Sequence, residues 1–114
     1  MAPLDNKNQA LIPVEKLRDY LLEASHPQNG GKAAFFNLMG YFKESWELMA
    51  DDLRTQHLPQ EARPGRMNPK GLTYRIEAEL RGPLGTANIR SIWQIDFGTT
   101  VPKLVTAYPI RSRR

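Results

Sequence analysis

The sequence contains no cysteine in its 114 residues. Disulfide bonds, thiolate–zinc sites and thiol nucleophiles are therefore excluded, and a reducing compartment agrees with this absence. Long apolar runs are also missing, since no stretch approaches the ~20 apolar residues that a membrane-spanning helix needs. The first residues carry no apolar signal segment. These absences predict a cytoplasmic protein that does not have a membrane as a partner.

Histidine is scarce as well, with two residues in the chain. A His-rich metal site is therefore not expected. Nucleotide-binding loops of the Walker type are also absent, because the segment from Gly30 to Ala33 lacks both the first glycine and the hydroxyl residue of that motif. The sequence predicts a protein that works without a metal ion and without a cofactor.

What the chain does contain is enough apolar sequence for one core and an uneven distribution of charge. Hydrophobic residues make up 40% of the chain and charged residues 25%, which is typical of a folded domain. Residues 1–60 carry a net charge of −2 and residues 61–114 a net charge of +6. A basic half of this kind favours a phosphate-rich partner, but a solvated basic sheet face explains it equally well.

Apolar residues recur at helical spacing in the first half of the chain. This spacing predicts one helix from Ile12-Pro13 to about Ala24, a second that begins near Lys32, and a third over 43–57. Residues 1–11 are expected to be a frayed leader. Buried positions are predicted for Leu21, Phe35, Leu38 and Trp46, and for Trp93 in the second half of the chain.

Apolar and polar residues alternate in the second half, which is typical of strands with one solvated face. Strands are predicted over 73–80, 88–96 and 103–109, with a weaker one over 62–67. The predicted fold class is α+β, with two or three N-terminal helices packed on one face of a three- or four-stranded antiparallel sheet. We expect a single domain over 1–114, made of the leader, a helical half (12–58), a sheet half (61–110) and a basic tail (111–114).

His26 is the first residue that could carry chemistry, because it lies in a Gly-rich break between two helices. Lys32 follows at the first turn of the second helix. Together they could form a concavity of backbone N–H groups beside a cation, which suits a phosphate. The other interpretation is a plain helix–helix turn with a solvated histidine. His57, by contrast, is expected to be structural, at a helix end where a cation suits the dipole.

The last predicted strand offers a second group of polar side chains. Alternation places Leu104, Thr106 and Tyr108 on one sheet face, near Arg90 of the neighbouring strand. Two hydroxyls and a cation could then bind one ligand. A cross-strand packing pair is the alternative, since Thr and Tyr are both good strand formers.

Four segments together carry a family resemblance. They are "IPxxKLxDYLL" over 12–22, "HPxxGGKAxFF" over 26–36, the stretch from Leu80 to Trp93, and "LVTAYP" over 104–109. This set resembles an uncharacterised bacterial domain family that occurs as free-standing proteins and as C-terminal modules of phage-type or secreted proteins. The resemblance covers most of the chain but implies no activity.

A second resemblance, in layout, carries a functional hypothesis. A His followed by a Lys after an N-terminal helix, with a closing "TAYP" strand, is similar to the ribonuclease domains of contact-dependent inhibition toxins and their barnase-, EndoU- and RelE-like relatives. It implies metal-independent RNA cleavage, with His26, Lys32, Thr106 and Tyr108 as catalytic residues. RNA and an acidic antitoxin or immunity protein are the implied partners. The chain departs from some of these enzymes because it lacks a second His in the site, so the general acid stays open.

The chemistry of such a site can be written from its residues. RNA supplies the 2′-hydroxyl as nucleophile, and His26 is the natural base because an imidazole titrates near neutral pH. Lys32 and Arg90 could stabilise charge on the phosphate, and Arg81 could help to bind the substrate. Tyr108 would be the acid or a platform for stacking a base, and Thr106 would hold a phosphate or a base edge.

The sequence thus predicts a toxin-type, metal-independent endoribonuclease. The alternative is a non-catalytic RNA-binding module or an interaction module associated with phage or secretion proteins. Convergence of His26 with the hydroxyl residues of the last strand in one cleft would favour the enzyme.

Overall fold

Three helices precede a four-stranded antiparallel sheet in the computed structural model, which describes residues 2–28 and 31–110. This is the α+β arrangement that the sequence predicts. Among the described residues, no helix has the length and apolar character that crossing a membrane requires.

The helices are short, and two of them continue as π turns. Helix α1 (Val14–Lys16) continues into a π turn (Leu17–Leu21), α2 covers Lys32–Leu38, and α3 (Trp46–Asp52) continues into a second π turn (Leu53–His57). The first helical segment therefore ends at Leu21 rather than near Ala24. The cause is local, because the Glu23 carboxylate accepts hydrogen bonds from the backbone N–H and the hydroxyl of Ser25 and so stabilises a turn.

The four strands follow one another in the sheet in chain order. They are β1 (Arg63–Asn68), β2 (Gly71–Arg81), β3 (Thr86–Asp96) and β4 (Lys103–Pro109). The weak strand predicted over 62–67 is confirmed as β1. It is an edge strand with one neighbour, so the missing N–H of Pro64 breaks no hydrogen bond to a second strand.

The helices pack on one face of the sheet, which we call the inner face. Its buried side chains include Ile76, Leu80, Ile89 and Trp93. The opposite, outer face carries Arg75, Glu77 and Arg90, among others, whose side chains remain partly exposed. The alternation predicted for the two long strands therefore holds, and it gives the sheet one polar face.

A β-bulge in β4 changes which of its residues face the core. Ile92 of β3 pairs with Thr106, but the next residue, Trp93, pairs with Leu104, so Val105 is extra. Leu104 and Ala107 are consequently both buried on the inner face. The prediction that Leu104 shares a face with Thr106 is wrong, because simple alternation does not count the extra residue.

The predicted core is confirmed in part. Leu21 and Trp93 are fully buried, while Phe35 and Trp46 are partly buried and pack against the core. Leu38 is 76% exposed, contrary to the prediction. The side chains of residues two positions apart on a helix differ in direction by about 200°. Leu38 therefore points away from the core because Phe36 points into it.

The N-terminal segment is packed rather than frayed. Leu4 and Ala10 are buried, and the Asn6 side-chain amide donates to the Thr100 carbonyl at 2.9 Å. Leu11 forms a parallel bridge with Lys103, on the side of β4 away from β3. The prediction of a frayed leader fails for residues 2–11 because it considered local sequence only, and these contacts reach across the chain.

Candidate functional cleft beside the last strand

A cleft of about 640 Å³ lies between the first helical segment and β4. Its lining residues come from three parts of the chain: Glu15, Lys16, Asp19, Tyr20, His26, Gln28, Val105 and Thr106. The cleft thus brings His26 together with Thr106, as the sequence hypothesis requires, although the two are far apart along the chain. We call it the His26 cleft.

Packing of the first helical segment sets the orientation of its polar residues. Leu17 and Leu21 are fully buried, so their side chains fix one side of the segment against the core. Asp19 and Tyr20 are left to line the cleft. The π turn widens the helix at this position, and such turns are frequent at functional sites.

His26 is held on two sides. The ring of Tyr20 contacts the imidazole edge-on, with ring centroids 4.9 Å apart and the planes at 77°. The backbone N–H of Gln28 donates to Nδ1 at 3.1 Å. Since an N–H cannot donate to another N–H, Nδ1 is unprotonated in the neutral ring and the proton lies on Nε2. The ring therefore offers Nε2–H, a hydrogen-bond donor, to a ligand.

Lys32 contacts Tyr20, which lines the cleft. Its Nζ lies 3.5 Å from the tyrosine hydroxyl and 5.7 Å from the ring centroid. A histidine, a tyrosine and a lysine thus form one cluster. The backbone concavity predicted between His26 and Lys32 includes residues 29 and 30, which lie outside the described part of the chain.

Thr106 contributes a hydroxyl with an unusual environment. Its Oγ1 is buried and has no hydrogen-bond partner among the described residues. Buried polar atoms in folded proteins nearly always have a partner, so this hydroxyl is an exception. The hydroxyl belongs to a residue that lines the cleft.

Tyr108 and Arg90 form a separate pair on the outer face. They are register partners, the Arg90 guanidinium lies 5.6 Å from the centre of the tyrosine ring, and Nη1 is 3.3 Å from the hydroxyl. Arg90 Nε also donates to Glu77 at 2.6 Å. The predicted proximity of Arg90 and Tyr108 is confirmed, but neither residue lines the His26 cleft.

Arg81 stands apart from both groups. It is exposed at the end of β2 and pairs with Thr86, four residues before Arg90 on β3. At ~3.3 Å per residue, this separates Arg81 from Arg90 by about 13 Å along the sheet. The structure therefore does not bring Arg81 to the His26 cleft.

His57 lies in the core. Its Nε2 donates to the Ala78 carbonyl at 3.1 Å, which leaves Nδ1 to accept from the Ser91 hydroxyl at 2.9 Å. Ser91 in turn accepts from the indole N–H of Trp93. Burial lowers the pKa of His57 to about 4, although the bond to Ala78 opposes this. A structural role was expected, but as a helix-end cation, whereas the residue is a buried neutral imidazole.

The charge in the His26 cleft is mixed rather than strongly positive. Glu15 and Asp19 line it together with a single lysine, Lys16. The hydrogen bond from Arg18 to Asp19, 2.7 Å long at Nε, lowers the pKa of that carboxyl. Across residues 2–28 and 31–110, no group of three or more His, Asp or Glu side chains is placed to hold a metal ion.

Sequence reasoning missed Glu15 and Tyr20 as cleft residues. Their signal was present, since both lie outside the apolar stripe that contains Leu17 and Leu21. A polar or aromatic residue on that side of a helix is usually only solvated, so the pattern alone does not separate a site from a surface. What distinguishes them is the approach of β4, which the local pattern does not encode.

Comparison with protein families gives one match. The family described as a domain of unknown function, DUF6883, matches residues 3–111, and the chain therefore belongs to that family. Neither the curated proteins nor the solved structures contain a significant match.

Proposed function

We propose that this member of the DUF6883 family is a metal-independent endoribonuclease that acts in the His26 cleft. The observation that carries the proposal is the meeting of His26, Tyr20 and Thr106 in one cleft. His57 is buried and fully engaged, so His26 is the histidine that a substrate can reach. A histidine beside hydroxyl groups and a lysine is a set that can transfer protons at a phosphodiester.

We assign the two proton transfers to His26 and Glu15. When the His26 ring is protonated, Nδ1 no longer accepts from Gln28, and Nε2–H can donate its proton to the departing 5′-oxygen. Glu15 then suits the acceptance of the proton from the 2′-hydroxyl. The bond from the 2′-oxygen to phosphorus forms as the bond to the 5′-oxygen breaks. In this proposal His26 is the general acid, whereas the sequence hypothesis makes it the base.

Other cleft residues would position and stabilise the phosphate. Lys16 lines the cleft, and Nζ of Lys32 lies 3.5 Å from the Tyr20 hydroxyl. Both cations would stabilise the negative charge that develops on a phosphate bound in the cleft. The unpartnered hydroxyl of Thr106 would donate to a phosphate oxygen. Lys32 and Thr106 thus keep the roles that the sequence hypothesis gave them, whereas Tyr20 takes the place of Tyr108 in the cleft.

The direct test is cleavage of RNA in the presence of EDTA. The purified chain is expected to cut single-stranded RNA into products that end in a cyclic or 3′-phosphate, because the attacking group belongs to the substrate. DNA of the same sequence serves as the control and should survive, since it lacks the 2′-hydroxyl. Activity that vanishes with EDTA, or equal cleavage of DNA, would contradict the proposal. Gel electrophoresis and mass spectrometry of the products provide the measurement.

A ribonuclease of this type needs a protective partner in the cell that makes it. The net charge of +6 in the second half of the chain favours an acidic antitoxin or immunity protein that associates quickly at low salt. Expression of the chain alone is expected to arrest growth, and co-expression of the adjacent reading frame to restore it. The variant His26→Gln is the matched control and should be harmless. A parent chain that is harmless at high expression would speak against this partner.

A second candidate function, a non-catalytic RNA-binding module, is favoured by a different observation. Arg90 and Tyr108 place a cation over an aromatic ring on the outer face, and such a pair can stack a base. RNA binding without cleavage, lost in Tyr108→Ala but kept in His26→Gln, would favour this module over the enzyme. An interaction module associated with phage or secretion proteins would bind no RNA in the same assay.

A further inference from the structure

A second cavity, of about 550 Å³, lies beside the His26 cleft. The two spaces share Glu15, Lys16 and Val105 as lining residues, so they lie side by side along the first helix and β4. Pro13 and Pro69 contribute flat apolar surfaces to the second cavity. Apolar surfaces of this kind suit a ligand with apolar faces.

Asp96 lines this cavity with a carboxylate that has one oxygen without a hydrogen-bond donor. Its Oδ2 lies 3.6 Å from Nζ of Lys103, while its Oδ1 is buried without a hydrogen-bond partner among the described residues. A buried carboxylate oxygen without a donor is costly, so a ligand that brings N–H groups would be bound favourably. The side chain is 36% exposed, and a ligand that contacts both oxygens requires it to turn so that the edge of the carboxylate faces the cavity.

Gln94 adds a donor that is fixed in place. It is 6% exposed, and its amide exchanges hydrogen bonds with that of Asn68 at 2.8 and 3.3 Å. The Asn68 oxygen also accepts from the backbone N–H groups of Lys70 and Gly71, which orients the pair. Since Nε2 of Gln94 has two hydrogens and uses one for Asn68, the second can bind an acceptor.

We propose that this cavity binds a guanine base. Guanine carries adjacent N1–H and N2–H donors, which match the two oxygens of the Asp96 carboxylate, and an O6 acceptor next to them for Gln94. Adenine and cytosine place a ring-nitrogen lone pair beside their amino group, and uracil flanks one N–H with two carbonyls. Each of these would set an acceptor against the carboxylate. The inference that the guanine belongs to RNA rests on the proposed function, whereas the base contact does not.

Nucleoside binding tests the subsite without any catalysis. Calorimetric titration with guanosine, inosine and adenosine is expected to give a Kd for guanosine roughly tenfold or more below that for adenosine, since each hydrogen bond to a charged group is worth about a tenfold change or more. Inosine lacks the N2 amino group and should fall between them. The variant Asp96→Asn should remove the preference. Asp51→Asn, at an exposed position of α3, is the matched control and should keep it.

The outcomes separate this inference from the ribonuclease proposal. Equal affinities for guanosine and adenosine, or a preference that survives in Asp96→Asn, would overturn the guanine subsite even in a chain that cuts RNA. A chain that selects guanosine but leaves RNA intact would uphold the subsite and overturn the ribonuclease. In a chain that does both, cleavage is expected next to guanosine, and Asp96→Asn should cut without that preference.

Discussion

The variant His26→Gln is expected to cleave RNA roughly 10²–10⁴ times more slowly than the parent chain, which is the usual contribution of a group that transfers a proton. Glutamine still fills the place beside Tyr20 and can still donate a hydrogen bond, but it does not release a proton. Because His26 is only partly buried at the surface, the folded state should keep its stability. Single-turnover cleavage rates, with thermal unfolding measured alongside, provide the comparison.

Two further variants distinguish the proposed roles within the cleft. Glu15→Gln is expected to lower the rate to a similar degree, because it removes the acceptor for the 2′-hydroxyl proton. Tyr20→Phe should have a smaller effect, since the ring against His26 remains and only the hydroxyl near Lys32 is lost. A folded His26→Gln variant as active as the parent would remove the main reason to prefer an enzyme over a binding module.

Acidification should destabilise this protein between about pH 6.5 and pH 4 through His57. In the unfolded chain the imidazole binds a proton at its ordinary pKa of 6.5, whereas burial holds the pKa at about 4 in the folded state. Between these values the unfolded state binds more protons, so stability falls as the pH falls. The full contribution, present above about pH 6.5, corresponds to about 3 kcal/mol of unfolding free energy. Denaturant titrations across this pH range measure it.

The variant His57→Gln isolates this contribution. Glutamine can accept from Ser91 and donate to the Ala78 carbonyl, but it does not titrate, so the loss of stability over this range should become much smaller. His26→Gln removes the other imidazole and is the matched control, in which the loss should persist. At neutral pH, His57→Gln should retain RNA cleavage in its folded fraction. An acid dependence unchanged in His57→Gln would show that other groups cause it.

The sequence predicts the fold well because periodicity is a local property. The alternation in β2 and β3 and the apolar stripe of the first helix both follow from which side chains must be buried. The pattern fails where a contact from a distant part of the chain decides the outcome. The local pattern assigns Leu11 to a leader, but it forms a bridge with Lys103. The same pattern places Leu104 on the sheet face of Thr106, but the bulge at Val105 directs Leu104 into the core.

The candidate site was predicted in part for the same reason. His26 and Thr106 could be selected individually, because a histidine in a Gly-rich break and a hydroxyl on a strand are both unusual enough to attract attention. Their sharing of a cleft depends on the path of β4 along the first helix. Tyr20 takes the position beside His26 that the sequence hypothesis left to Tyr108, since Tyr108 lies two residues beyond Thr106 on β4, opposite Arg90 and outside the cleft lining.

The bridge between Leu11 and Lys103 also determines when the molecule can assemble. The first helical segment, which carries Glu15 and Tyr20, is synthesised well before β4, the strand that completes the cleft. Until β4 emerges, Leu11 has no strand to join and Thr106 is not yet in place. A chain in which β4 has not yet been made therefore lacks the cleft. For the proposed ribonuclease, this order would delay cleavage of RNA until β4 has been synthesised.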